Sequence, residues 1–180
     1  MSNGLIDKGL SSFAVALAGG EACWRLGALS RFARAPRVRG LAGWDDVRRI
    51  ALALPGTGER VSRGNARWEV RGKGFVWERP LQRSDLEALG DRAPRAPILG
   101  VRVEHLGAKE VLVADESGVF FTTPHFDGYP AVLVRLGEIG VEELDEVIVE
   151  AWLARAPARL AKEYIATAAE ARPWSTTEPG

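Results

Sequence analysis

From residue 67 to residue 78 the chain reads Arg-Trp-Glu-Val-Arg, then Gly-Lys-Gly, then Phe-Val-Trp-Glu. Strict alternation over residues 67–71 puts Trp68 and Val70 on one side of a strand and charged groups on the other. Gly72-Lys73-Gly74 predicts a tight turn, because glycine adopts backbone angles that other residues avoid. Phe75-Val76-Trp77-Glu78 then pairs back as the second arm. A hairpin with one apolar face is marginal in water and requires further strands and a covering layer.

The rest of the chain supplies both. Trp44, Val47, Ile50, Ala51 and Leu54 recur at helical spacing, with Asp45 and Asp46 at the favourable end of the helix dipole, and Pro55-Gly56 ends the run. Ser84-Asp85-Leu86-Glu87 has the pattern of a capping box, predicting a short helix to about Leu89. Residues 97–104, 110–114 and 119–122 read as strands. Residues 131–136 form another, with Val132, Val134 and Leu136 on one face and Leu133 and Arg135 on the other. Leu144, Val147, Ile148, Ala151, Trp152 and Arg155 then mark a helix, and Pro157 opens a second one through Leu160, Tyr164 and Ile165. This order predicts an α+β domain: a single antiparallel sheet with helices packed on one face.

Residues 44–171 are expected to form that domain. Residues 1–43 carry six basic and two acidic side chains with weak periodicity, and read as a basic N-terminal extension, partly helical or disordered. Residues 172–180 read as a flexible tail. The chain past residue 43 holds 18 basic and 22 acidic residues, a balance that works against broad attraction to phosphate backbones. Cys23 is the only cysteine, so neither an internal disulfide nor a thiolate metal site can form. No run is long and apolar enough to span a membrane. A cytoplasmic, monomeric protein is the expectation.

The segment Ala51-Leu52-Ala53-Leu54-Pro55-Gly56-Thr57-Gly58-Glu59, followed by Trp68 to Trp77, resembles the opening of the MmcQ/YjbR family. There an "LPG…E" turn leads into a hairpin carrying "GK.F". The block from His125-Phe126-Asp127-Gly128-Tyr129-Pro130 through Ala151-Trp152 is similar to one branch of that family, and the resemblance covers about residues 44–166. It implies a CyaY-like fold and a DNA-binding role through hairpin wings. The chain departs from the commoner pattern at residues 132–135, an apolar strand where many members carry an "NK.HW"-like stretch.

Several chemistries are absent. Gly72-Lys73-Gly74 is no phosphate-binding P-loop, since Arg67 and Gly74 occupy positions where that motif needs glycine and a hydroxyl. No serine sits in a nucleophile elbow, and His105 and His125 lie twenty residues apart without paired ligand spacing. No catalytic residue, metal site or cofactor is assigned, and the chain reads as a binding protein more readily than as an enzyme. Glu142, Glu143, Glu146 and Glu150 form an acidic ridge that a helix start accommodates without metal.

Six side chains are candidates for contact with DNA or a small anionic ligand. Lys73 can grip a phosphate from a hairpin tip. His125 either caps its loop, by bonding backbone or Asp127, or lends its imidazole to a ligand. Tyr129 and Arg135 would line a pocket with it. Arg155 and Arg159 either serve a helix end or join Arg135 in a basic patch. The expected functions are therefore non-specific DNA binding through wings, binding of a small anion or an unassigned enzyme activity near His125, or protein interaction through the N-terminal arm.

Overall fold

The computed structural model describes residues 40–170. Residues 1–39 of the expected extension, and the tail at 172–180, lie outside the described residues. The described chain is α+β: six antiparallel strands form one sheet, and five helices pack against it.

Helix α1 (Trp44–Ala53) comes first, with Val47, Ile50 and Ala51 buried. Gly43 caps it, and Asp46 Oδ2 reaches back to accept from the Gly43 N–H at 3.1 Å. Strands β1 (Thr57–Ser62), β2 (Asn65–Val70) and β3 (Lys73–Glu78) follow as two consecutive hairpins. Helix α2 (Arg83–Leu89) leads to β4 (Ile98–Arg102), and α3 (Leu106–Val113) leads to β5 (Phe120–Phe121). Strand β6 (Ala131–Arg135) precedes α4 (Val141–Leu153) and α5 (Ala158–Glu170). The strand order is β1-β2-β3-β4-β6-β5. Before α1, Leu41 bridges to Gly140, and the Ala42 N–H donates to Ile139 O at 2.9 Å.

Residues facing each other across antiparallel strands share a face. One face carries Trp68, Val70, Val76, Leu99, Val101, Val132 and Val134, none more than 2% exposed. It is covered by α4, which brings Leu144, Val147, Ile148, Ala151 and Trp152, and by α1 beside it. Burial of these side chains contributes on the order of 2 kcal/mol each and is the main source of stability. Pairing of β2 with β3 slips by one residue after Trp68, and the extra residue leaves both Phe75 and Val76 fully buried. Trp152 meets Tyr164 edge-on at 5.1 Å, joining α5 to α4.

On the opposite face one row crosses all six strands: Arg60, Arg67, Trp77, Gly100, Leu133 and Phe121. Its apolar end forms a second, smaller cluster with Ile98, Ala131 and Phe126, against which Trp77, Leu81 and Leu89 pack.

Three local expectations change. Residues 110–114, expected as a strand, instead end helix α3, with Ala114 as its C-cap; Ala108 and Leu112 form the helix's buried edge while Val111 is exposed. His105 starts that helix by accepting from the Ala108 N–H at Nδ1, at 3.1 Å. Strand β1 has no sequence signature, because as an edge strand it exposes nearly every side chain, Val61 included. The α2 capping box is set two residues earlier than Ser84-x-x-Glu87: Gln82 is the cap, and its N–H donates to Asp85 Oδ2 at 2.9 Å.

Candidate anion-binding surface

Both hairpin turns are Arg-Gly. Arg63-Gly64 joins β1 to β2 with φ of 52° and 81°, and Arg71-Gly72 joins β2 to β3 with φ of 50° and 75°. A two-residue turn matching strand twist needs positive φ at both central residues, which favours Asn, Asp or Gly at the first. Arginine there costs about 1 kcal/mol of backbone strain. Among the described residues these two are the non-glycine positions at positive φ. The second turn is thus one residue earlier than expected, and Lys73 is the first residue of β3, exposed and paired with Val70.

Residues 57–74 hold five basic side chains, Arg60, Arg63, Arg67, Arg71 and Lys73, against Glu59 and Glu69. The acidic residues are engaged. Glu59 receives Arg48, with Nε donating at 2.8 Å, and that guanidinium holds its carboxyl below the ordinary range. Glu69 lies 3.0 Å from Arg67 Nε and 3.8 Å from Arg60 Nε. A shallow groove of about 440 Å³ opens here, lined by Glu59, Arg60, Glu69 and Arg71 over Gly56, Gly58 and Gly72.

The loop before β6 builds the second part of the surface. Phe126 is buried and holds the loop in place. It meets Trp77 at 6.4 Å, His125 edge-on at 5.0 Å and Tyr129 at 6.2 Å, with the Arg79 guanidinium 5.4 Å from its ring centroid. Lys109 of α3, also buried, donates its ammonium to Phe126 O and Tyr129 O, so its charge serves the loop backbone. Beneath the loop, Arg79 Nη2 pairs with the buried Asp85 carboxylate at 2.7 Å.

Arg102 ends β4 opposite Ala131, with its guanidinium carbon 4.0 Å from the Tyr129 ring centroid. Its Nη1 donates to Pro130 O at 3.4 Å, near the limit of a hydrogen bond. Among the described residues it enters no ion pair. Burial depresses its pKa; the Tyr129 phenol opposes that, and the charges of Arg155 and Arg67 add to it. Arginine stays protonated throughout, so this is a cation held among cations.

The candidate residues therefore separate. Tyr129 lies under the Arg102 guanidinium, and the Arg155 charge acts on that same guanidinium. Exposed His125 joins them by its contact with Phe126; among the described residues it makes no hydrogen bond, so the cap through backbone or Asp127 is not formed. Arg135 lies at the far end of β6, over Phe121 at 5.4 Å, donating to Arg92 O at 3.2 Å and 3.6 Å from Glu138. Arg159, on α5, pairs with Glu163 one turn on at 2.9 Å. The sequence reading missed Arg60, Arg63, Arg67, Arg71 and Arg102. The signal for the tips was present: Arg-Gly where an alternating run reverses. Among the described residues, no group of three His, Cys, Asp or Glu side chains can hold a metal ion, and no helix is long and apolar enough to cross a membrane.

Mycobacterial proteins match this chain closely. The uncharacterized protein Rv2570 of Mycobacterium tuberculosis (strain ATCC 25618 / H37Rv) is 54% identical over 129 residues, covering 70% of this chain and 98% of the relative. The chain belongs to the family of these mycobacterial proteins. The uncharacterized protein Mb2600 of Mycobacterium bovis matches with the same identity and coverage. No family model matches, and no solved structure does.

Proposed function

We propose that the chain is a small binding protein of the MmcQ/YjbR type that contacts nucleic-acid phosphates, without reading sequence, through its two β hairpins. The observation that carries this is the arginine at positive φ in both turns, Arg63 and Arg71. Asparagine or glycine would relax each turn, so each guanidinium is carried at a cost in stability, and strained positions of this kind cluster at functional sites.

The two tips close opposite ends of β2. Spanning eight residues at about 3.3 Å each, they stand roughly 25 Å apart. That separation matches several phosphates along a backbone rather than one small ligand. Arg60 and Arg67 lie between the tips on the same strand pair, and the groove holds Arg60 and Arg71 together. The local excess of basic residues contrasts with the acidic balance of the rest of the domain, which would orient the hairpins toward the polyanion.

Fluorescence anisotropy of a labelled duplex at two salt concentrations tests the reading. Binding that weakens steeply with salt supports it, since each neutralised phosphate releases counterions. A flat titration at low salt would overturn it.

A further inference from the structure

We infer that Arg102, stacked on Tyr129, forms with the cations Arg67 and Arg155 a second site, for the phosphate group of a small phosphomonoester. The site does not rest on the hairpin tips: Arg67 in the middle of β2, strand β4, the loop before β6 and the chain just after α4 build it.

Four observations place it. First, the Tyr129 ring positions the Arg102 guanidinium at 4.0 Å, and among the described residues its other polar partner is a long contact to Pro130 O. Most of its five N–H donors therefore remain available, in a fork that matches two oxygens of a phosphate. Second, Gly74 lets the Arg67 side chain rest on β3: a Cβ at residue 74 would come within 2.6 Å of three of its guanidine atoms. That brings Arg67 from β2 across β3 toward β4, while Glu69 occupies its Nε. Third, Arg155 Nε is buried without a hydrogen-bond partner, a polar atom that protein structures rarely leave unmatched. Fourth, Lys109 is committed to the carbonyls of Phe126 and Tyr129, so it stabilises the Tyr129 loop rather than neutralising an anion.

Three guanidinium groups, of which Arg67 is shared with Glu69, suit a dianion better than a carboxylate ligand. Tyr129 is 43% exposed, which leaves ring surface for the organic part of the ester. Binding would relieve the mutual repulsion of the arginines, so occupancy should raise thermal stability as well as release heat.

The experiment is isothermal titration calorimetry of the full chain with inorganic phosphate and with phenyl phosphate, paired with thermal melts. Wild type should bind both at millimolar levels or tighter, phenyl phosphate the more strongly. Arg102→Met should weaken binding at least about tenfold, and Tyr129→Leu should remove the preference for the phenyl ester. Arg155→Gln gives an independent reading should Arg102→Met fail to fold: weakened binding supports the site, unchanged affinity overturns it. The double variant Arg63→Asn/Arg71→Asn should bind phenyl phosphate like wild type. Loss in that double variant with retention in Arg102→Met would overturn the assignment by moving the anion to the hairpins, as would the absence of any phosphate response in wild type.

Discussion

The Trp77 indole occupies the space that a side chain on Gly100 would need: a Cβ at residue 100 would lie 2.3 Å from the ring. The two residues face each other across β3 and β4, so the ring lies on its neighbour's backbone and reaches Phe126 beyond it. Gly100→Ala must therefore displace a rigid ring. It should cost about 2 kcal/mol, in the range of overpacked cores, and lower Tm by several degrees while leaving the α1–α4 face intact. A melt indistinguishable from wild type would mean that Trp77 is free to move.

Asp85 and Arg79 should make the domain acid-sensitive. Burial pushes the Asp85 carboxyl up. The Gln82 N–H, the Thr123 hydroxyl buried nearby and the Arg79 charge together outweigh that and leave its pKa below the ordinary value. A depressed carboxyl stabilises the fold above the unfolded-state pKa, about 4, and this contribution is lost as pH falls through the folded-state value. Asp85→Ala strands a buried guanidinium and should cost about 3 kcal/mol at neutral pH. Urea melts from pH 6 downward should show a flatter acid limb in the variant than in wild type.

Glu143 has the opposite sign. Its burial on α4, then the charges of Asp115 and Glu146, raise its pKa. Between the ordinary and raised values the folded state holds more protons than the unfolded chain, so stability declines as pH rises through that window. Glu143→Gln should stabilise the protein at neutral pH by less than about 1 kcal/mol, because solvent screens the half-buried group. Equal wild-type and variant pH profiles would remove the strain assigned to this carboxylate.

Lys109→Met should loosen the loop that carries Tyr129. It leaves the carbonyls of Phe126 and Tyr129 without their buried donor, a loss of about 2 kcal/mol. Faster amide exchange over residues 126–131, together with weaker phenyl phosphate binding, is the expected readout.

The large helices, the β2–β3 hairpin and strand β6 were legible because their burial follows one period: Val47, Ile50, Ala51 and Leu54 at helical steps, Trp68 and Val70 at strand steps. Strand β1 was not, since an edge strand with exposed Arg60 and Val61 has no buried alternation. Helix α3 was misread because Val111 and Val113 favour strands locally, and tertiary packing of Ala108, Lys109 and Leu112 overrides them. Tyr129 and Arg155 stand out in the sequence, whereas Arg102, which stacks on Tyr129, reads there as one more charged residue at a strand end. Only the register β4–β6 reveals that it faces the loop.

The most direct test of the account replaces both tip arginines by asparagine, the residue their turn geometry favours. Arg63→Asn/Arg71→Asn should gain stability, about 1 kcal/mol per turn. In duplex titrations it should bind more weakly, with the slope of log affinity against log salt reduced by about two. A double variant that is stabilised yet binds duplex DNA with wild-type affinity and slope would contradict the account, and would leave the two arginines as strain without a function.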